Sequence, residues 1–280
     1  GIVLPVSEDD TYENAFFLET MRGISLFCNQ KQYFTTLITG SSNEELLSAI
    51  RSMVKENHLD GIILLYSNEQ DPIIDYLYEN GILFVQIGKA SQYPGETICI
   101  DNDNILAARE AVNHLYKLGH RKIGYVGTDL KRIFSADRKA GYILALAQNN
   151  VPFQENYYLE MPQVPKNKTD RLLRFLSRED RPTAVLVSDD ILAMVLEKTA
   201  FELHLQIPED LSIISFNNSL FSKLSSPQLT SIDINSRQLG IEAASQMINH
   251  IENPGLLATK IIVPHFMIER QSCAPPKAPR

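Results

Sequence analysis

No run of eighteen apolar residues occurs in this chain of 280 residues, so no membrane-spanning helix is expected. The opening residues show no charged region followed by an apolar one, so no signal peptide is expected either. Cysteine is scarce. Cys28, Cys99 and Cys273 are odd in number and widely spaced, which argues against a disulfide framework or a zinc site. Buried thiols in a reducing cytoplasm are the expectation. None of the six histidines has a second histidine or a cysteine at metal spacing, so no metal is expected. Neither GxGxxG nor GxxxxGK is present, and HExxH, CxxC and GxSxG are missing too. An enzyme reading has no constellation to rest on, and no cofactor is implied. Positive charge is also short. Lys plus Arg number 26 against 34 Asp plus Glu, a formal net charge of −8. Nucleic-acid affinity depends on neutralising phosphates, so this chain is not expected to hold DNA by itself. A neutral ligand suits it at least as well as a charged one.

What is present is ordinary for a soluble globular protein: 44% apolar and 21% charged residues. Short apolar runs alternate with helical periodicity along most of the chain. Strands are expected at Ile2–Val6, Phe34–Thr39, Gly61–Leu65, Leu83–Ile87, Thr97–Ile100, Lys122–Val126, Tyr157–Met161, Thr183–Val187 and Leu211–Ser215. Helices are expected between them, from Glu13–Gln30 through Asn102–Leu118 and Phe134–Asn149 to Asp189–Leu203. This alternation implies parallel sheets flanked by helices, with ligands beyond the carboxyl ends of the strands. The beat breaks at Ser215–Gln228, which has no clear period. A strand at Leu229–Ile232, a helix at Ser236–Ile251 and two short strands at Lys260–Val263 and Phe266–Ile268 follow. Residues 273–280 read as a tail.

An ordered set of phrases then carries a resemblance. GIVLPVS opens the chain, with NAFF at Asn14–Phe17 and DGIILL at Asp60–Leu65. LGHRKIGYVG spans Leu118–Gly127, DRKAGY Asp137–Tyr142 and RPTAVLVSDDILA Arg181–Ala193. IPEDLSIISFNNS and SSPQLTSIDI run from Ile207 to Ile234. Together they resemble the effector-binding core of the lactose/galactose-repressor family. ILLYS, SFNNS and SIDIN look most like the maltose-operon repressors of Gram-positive bacteria. The resemblance implies an α/β, two-lobed fold like that of periplasmic sugar-binding proteins. One lobe would be 1–118 plus 231–254 and the other 119–230 plus 255–272, with crossovers near Gly119, Thr230 and Gly255. It also implies a helix-turn-helix headpiece before the first strand, expected to be missing here. The implied protein is a cytoplasmic repressor binding a maltose-type sugar between its lobes and operator DNA through that headpiece. It would be a homodimer, with a phosphocarrier protein as a corepressor in some relatives.

Sugar pockets need flat apolar faces for the ring and fixed polar groups for the hydroxyls. Phe16 and Phe17 match aromatics that cap the ligand in the family, although adjacent helical positions point apart and one of the two fits core. Asn14 suits either a hydroxyl contact or a helix cap. Arg138 matches the family's effector-binding arginine, whose fork can bridge vicinal hydroxyls. Arg132 and Phe134 lie on the loop before it, at positions the family uses variably. Asp189 and Asp190 offer one helix cap and one ligand carboxylate, with Asp189 favoured for ligand. Asn217 stands where the family usually has Asp, and Lys89 follows Gly88 where sugar-binding relatives read Asp-Arg. The first departure loosens the transfer of any particular sugar preference, and the second speaks against a monosaccharide of the ribose type. Asp233, near a crossover, suits a hinge role or a ligand contact. A transport-associated sugar-binding protein of the same fold is the rival reading, and LGHRKIGYVG and SSPQLTSIDI favour the repressor.

Overall fold

The computed structural model describes residues 1–6, 14–56, 58–161 and 168–277. In chain order the elements begin β1 (Ile2–Val3), α1 (Ala15–Gln30), β2 (Leu37–Ile38), α2 (Asn43–Lys55), β3 (Ile62–Leu64) and α3 (Pro72–Glu79). They continue with β4 (Phe84–Ile87), β5 (Ile98–Asp101), α4 (Asn104–Lys117), β6 (Ile123–Gly127), α5 (Ile133–Gln148), β7 (Tyr158–Glu160) and α6 (Lys168–Leu176). The series ends with β8 (Ala184–Val187), α7 (Asp190–Glu202), β9 (Ser212–Phe216), α8 (Leu220–Leu224), β10 (Thr230–Asp233), α9 (Ser236–Glu252), β11 (Lys260–Ile262) and β12 (Phe266–Ile268). They form two compact α/β units. The first is Gly1–Asn102, Lys131–Phe134 and Asn235–Pro264; the second is Asp103–Leu130, Ser135–Ile234 and His265–Arg280.

The first unit holds a parallel six-stranded sheet in the order β11-β5-β4-β3-β1-β2. The continuous apolar run on β3 is explained by cover on both faces. Ile63 and Leu65 join Ile2, Leu4, Val85 and Ile87 against α1 and α9. Ile62 and Leu64 join Val3 and Phe84 against α2 and α3. α1 and α9 approach until their backbones touch. A Cβ on Gly23 would lie 2.1 Å from the Arg237 carbonyl oxygen, and one on Gly240 would lie 2.1 Å from that of Thr20. Only glycine at both positions allows this approach.

The second unit holds the order β12-β10-β9-β8-β6-β7, parallel except where β12 runs antiparallel to β10. Val126, Val185, Val187 and Ile213 pack on Leu172, Leu192, Leu196 and Ala200 from α6 and α7.

The crossovers differ from those expected. The chain changes unit at 102/103, 234/235 and 264/265, with a brief excursion at Lys131–Phe134. α4 belongs with the second unit, where Ala107, Ala108, Ala111, Val112 and Leu115 are buried. Gly119 stops α4 as its place after Leu118 implies, with φ at +107°, but the chain does not change unit there. β10 stays in the second sheet through its parallel pairing with β9, and β11 joins the first through β5. The expected tail at 273–280 is fixed over its described part. The Ala274 carbonyl lies 2.8 Å from His120 Nε2, and Lys277 donates to Asp210 at 2.7 Å. A further helix, α8, occupies part of the stretch that lacked a period.

Candidate functional site

In the second unit the candidate residues gather where β6, β8, β9 and β10 end. Arg138, on α5, is only 3% exposed. Burying a guanidinium is costly unless its donors are used. Nε donates to Asn104 Oδ1 at 2.8 Å and Nη1 to the Ser188 carbonyl at 2.6 Å. The guanidinium carbon lies 3.9 Å from the centre of the Phe216 ring, a cation–π stack. The fork is therefore fixed in plane and direction, as hydroxyl recognition requires.

The Asp pair divides its work differently from the expectation. Asp189 is the N-cap of α7: Oδ1 accepts the Leu192 amide at 2.8 Å, and Oδ2 faces the Ser188 hydroxyl at 3.4 Å. Asp190 is buried and accepts from the Ser215 hydroxyl, the Ser231 hydroxyl at 2.9 Å and the Ser219 amide at 2.6 Å. Burial pushes its acid up, and the bonds from Ser215, Ser219 and Ser231 oppose that shift. Asp190 thus anchors α7 to β9 and β10, and Asp189 keeps the cap.

Beyond β9 the backbone turns through two left-handed residues, Asn217 at φ +94° and Asn218 at +47°. Asparagine tolerates this region better than most residues. The Asn217 amide donates to the Ile232 carbonyl at 2.8 Å. Asn218 reaches Asp233, donating from Nδ2 to Oδ2 at 2.8 Å, and accepts from Arg270 on Oδ1.

In the first unit the candidates lie at the start of α1 and beyond β3 and β4. Asn14 caps α1, its Oδ1 accepting the Phe16 amide at 3.0 Å. Phe17 is 6% exposed and packs in the core with residues of β1 and α9, as one of the two aromatics was expected to. Phe16 is half-buried and meets Phe17 edge-on at 5.2 Å. Lys89 has an exposed side chain, and its carbonyl accepts from the Ser67 hydroxyl. Gly88 precedes it at φ +108°, where a Cβ would lie 2.6 Å from that of Ser67. Arg132 forms a β-bridge with Asn68, and the Ile133 amide donates to the Ser67 carbonyl at 3.2 Å. Lys89 and the Arg132–Phe134 segment are thereby brought together around Ser67.

Among the described residues no group of three or more His, Cys, Asp or Glu could hold a metal ion, and no helix is long and apolar enough to cross a membrane.

Comparison with known proteins bears on this arrangement. Residues 112–273 match the periplasmic binding protein-like domain. A transcriptional regulator with a helix-turn-helix, MalR of Staphylococcus xylosus, is 30% identical over 97% of this chain and 80% of its own length. The chain belongs to the lactose-repressor (LacI) family. A solved LacI-type regulator from Bacillus cereus subsp. cytotoxis is 36% identical, with a TM-score of 0.93, covering 98% of this chain and 97% of its own. The maltose operon repressor of Staphylococcus aureus is 28% identical, with a TM-score of 0.87, covering 97% and 96%. This LacI-family chain is the sensing part of a transcriptional repressor, and its relatives are regulators, not enzymes.

Several residues of the second-unit site escaped the sequence reading. Asn104, Ser188 and Phe216 hold Arg138, and Asn218 rather than Asn217 holds Asp233. Asn104 opens a helix and Phe216 closes an apolar strand, so local pattern gives each an ordinary role.

Proposed function

We propose that the chain senses maltose or a short maltodextrin and belongs to a homodimeric repressor that binds operator DNA. The observation that carries this reading is Arg138, a buried guanidinium held flat on Phe216 beyond the strand ends. Its planar fork bridges vicinal hydroxyls. Asp189 caps α7 with one oxygen and accepts a hydroxyl with the other, and Asp233 and Asn217 border the same edge. In the first unit Phe16, Lys89, Arg132 and Phe134 are the candidate ligand contacts, with Phe16 offering an aromatic face. Likeness to the maltose operon repressor of Staphylococcus aureus supports the glucoside class.

Calorimetry with maltose, maltotriose, glucose and ribose tests the ligand. Each charge-assisted hydrogen bond removed from a buried site costs about 1.5–3 kcal/mol. Arg138→Ala therefore weakens binding at least about tenfold. A wild-type protein that ignores every glucoside ends the maltose reading. Unchanged affinity in Arg138→Ala removes that residue from the site.

A further inference from the structure

Two connections of the first unit meet at one turn. Residues 65–71 lead from β3 into α3, and residues 88–97 lead from β4 into β5. The Ser67 hydroxyl donates to the Lys89 carbonyl, and the Ser67 carbonyl accepts the Ile133 amide at 3.2 Å. Asn68 forms a bridge with Arg132, and its carbonyl accepts the Ser91 hydroxyl at 3.1 Å. Lys89 and the Arg132–Phe134 segment therefore lean on the same two residues, Ser67 and Asn68.

Gln92 holds this turn from behind. Its side chain is half-buried, and its carboxamide stands in for a backbone partner. Oε1 accepts the Asp71 amide at 2.7 Å. Nε2 donates to the Asp71 carbonyl at 3.2 Å and to Asp75 Oδ1 at 2.6 Å. The carboxamide thus engages its acceptor and both of its amide hydrogens. Asp71 is buried and caps α3, accepting the Ile73 amide at 2.9 Å. The Tyr93 hydroxyl donates to the same Asp75 oxygen at 2.9 Å, and the Tyr93 ring stacks on Tyr78 at 3.6 Å.

The backbone shows why such fastening is needed. Gln70 and Tyr93 hold left-handed φ of +53° and +47°. Each is next in sequence to one member of the Gln92–Asp71 pair. A residue other than glycine keeps this conformation only where its surroundings fix it, and such positions gather at ligand clamps.

We propose that Gln92 is a positioning residue of the effector site, clamping the turn after β3 to the loop after β4 so that Lys89 and the Arg132–Phe134 segment are set before the ligand arrives. The inference rests on the sugar-sensing reading above and adds a residue that acts without touching the sugar. Contacts fixed in advance remove an ordering cost from binding.

Calorimetry with maltose and maltotriose is the test, beside circular dichroism melts of the free chain. Gln92→Glu keeps the size of the side chain but sets an acceptor against the Asp71 carbonyl and a charge against Asp75. It weakens both sugars about tenfold, while the free chain melts within about 3 °C of wild type. The double exchange Gln92→Glu/Asp75→Asn gives the new carboxylate a donor and recovers affinity to within about threefold of wild type. A wild-type chain that binds neither sugar overturns the maltose reading and this one together. Wild-type binding with unchanged affinity in Gln92→Glu overturns the clamp alone. A loss that the double exchange does not repair, or that comes with a matching fall in the free chain's melting temperature, leaves Gln92 a purely structural role and overturns the clamp as well.

Discussion

Replacing Gly23 with alanine tests whether α1 and α9 are as close as their backbones indicate. Alanine gains about 1 kcal/mol over glycine in a helix interior, so an exposed Gly→Ala substitution in this position would be stabilising. Here the added Cβ meets the Arg237 carbonyl oxygen at 2.1 Å, with the Arg237 carbonyl carbon and the Ile241 nitrogen at 3.1 Å. All three are backbone atoms in a helix and cannot swing aside. Ordinary contact begins near 3.4 Å, so the helices must part by about 1 Å, loosening Ile24, Leu239 and Ala243 in the core between them. Overpacking of this kind costs about 1–3 kcal/mol, and parting the helices forfeits further dispersion contacts. The net expectation is a loss of ~2 kcal/mol, or a melting temperature lower by about 4–8 °C. Scanning calorimetry reads it directly. Gly240→Ala should cost the same, since its Cβ strikes the Thr20 carbonyl oxygen from the opposite side. The double variant should cost less than the sum, because helices already parted have room for the second methyl. A Gly23→Ala protein melting at or above wild type would refute the reasoning.

Three further outcomes are expected. Phe17→Ala lowers stability by about 3–5 kcal/mol as a core truncation, whereas half-buried Phe16→Ala costs clearly less; equal losses in urea melts would contradict the division between core and site. Glu197 has its folded acid raised to about 7 from 4.5, so the fold binds its proton more tightly than the unfolded chain does. Its contribution is present below pH 4.5 and is lost as pH rises through 7. Glu197→Gln should therefore gain on wild type between pH 5 and 8. Solvent screening limits that gain to ~1 kcal/mol, and parallel pH profiles of the two proteins would exclude it. The net charge of −8 predicts no sequence-specific gel shift of operator DNA by this chain alone; a retained, competable band would show otherwise.

The sheets were readable because their physics is local. Ile62 to Leu65 announces a strand covered on both faces, and Asn14 marks a helix start. The crossovers were not readable, because they depend on which sheet a segment joins. Gly119 reads both as a helix stop and as a crossover and is only the first, since the alanine face of α4 belongs with the second unit. The site was legible as residue types but not as contacts. Arg138 was recognisable from DRKAGY, yet its partners Asn104, Ser188 and Phe216 come from three other segments. Asp189 and Asp190 could not be told apart until the Ser215, Ser219 and Ser231 donors around the second were seen.

The interleaving of the two units decides what a ribosome must finish before either is whole. The first unit draws α9 and β11 from Asn235–Pro264, so the helix that closes over Gly23 is made only after nearly all of the second unit has emerged. Until then α1 has an open glycine face and β5 an unpaired edge, the kind of exposed surface on which nascent chains aggregate. A premature stop codon just beyond Ile234 would leave the second sheet lacking only its edge strand β12. The heavier damage would fall on the first unit, which would lose α9 and β11 although every codon for Gly1–Asn102 had been read.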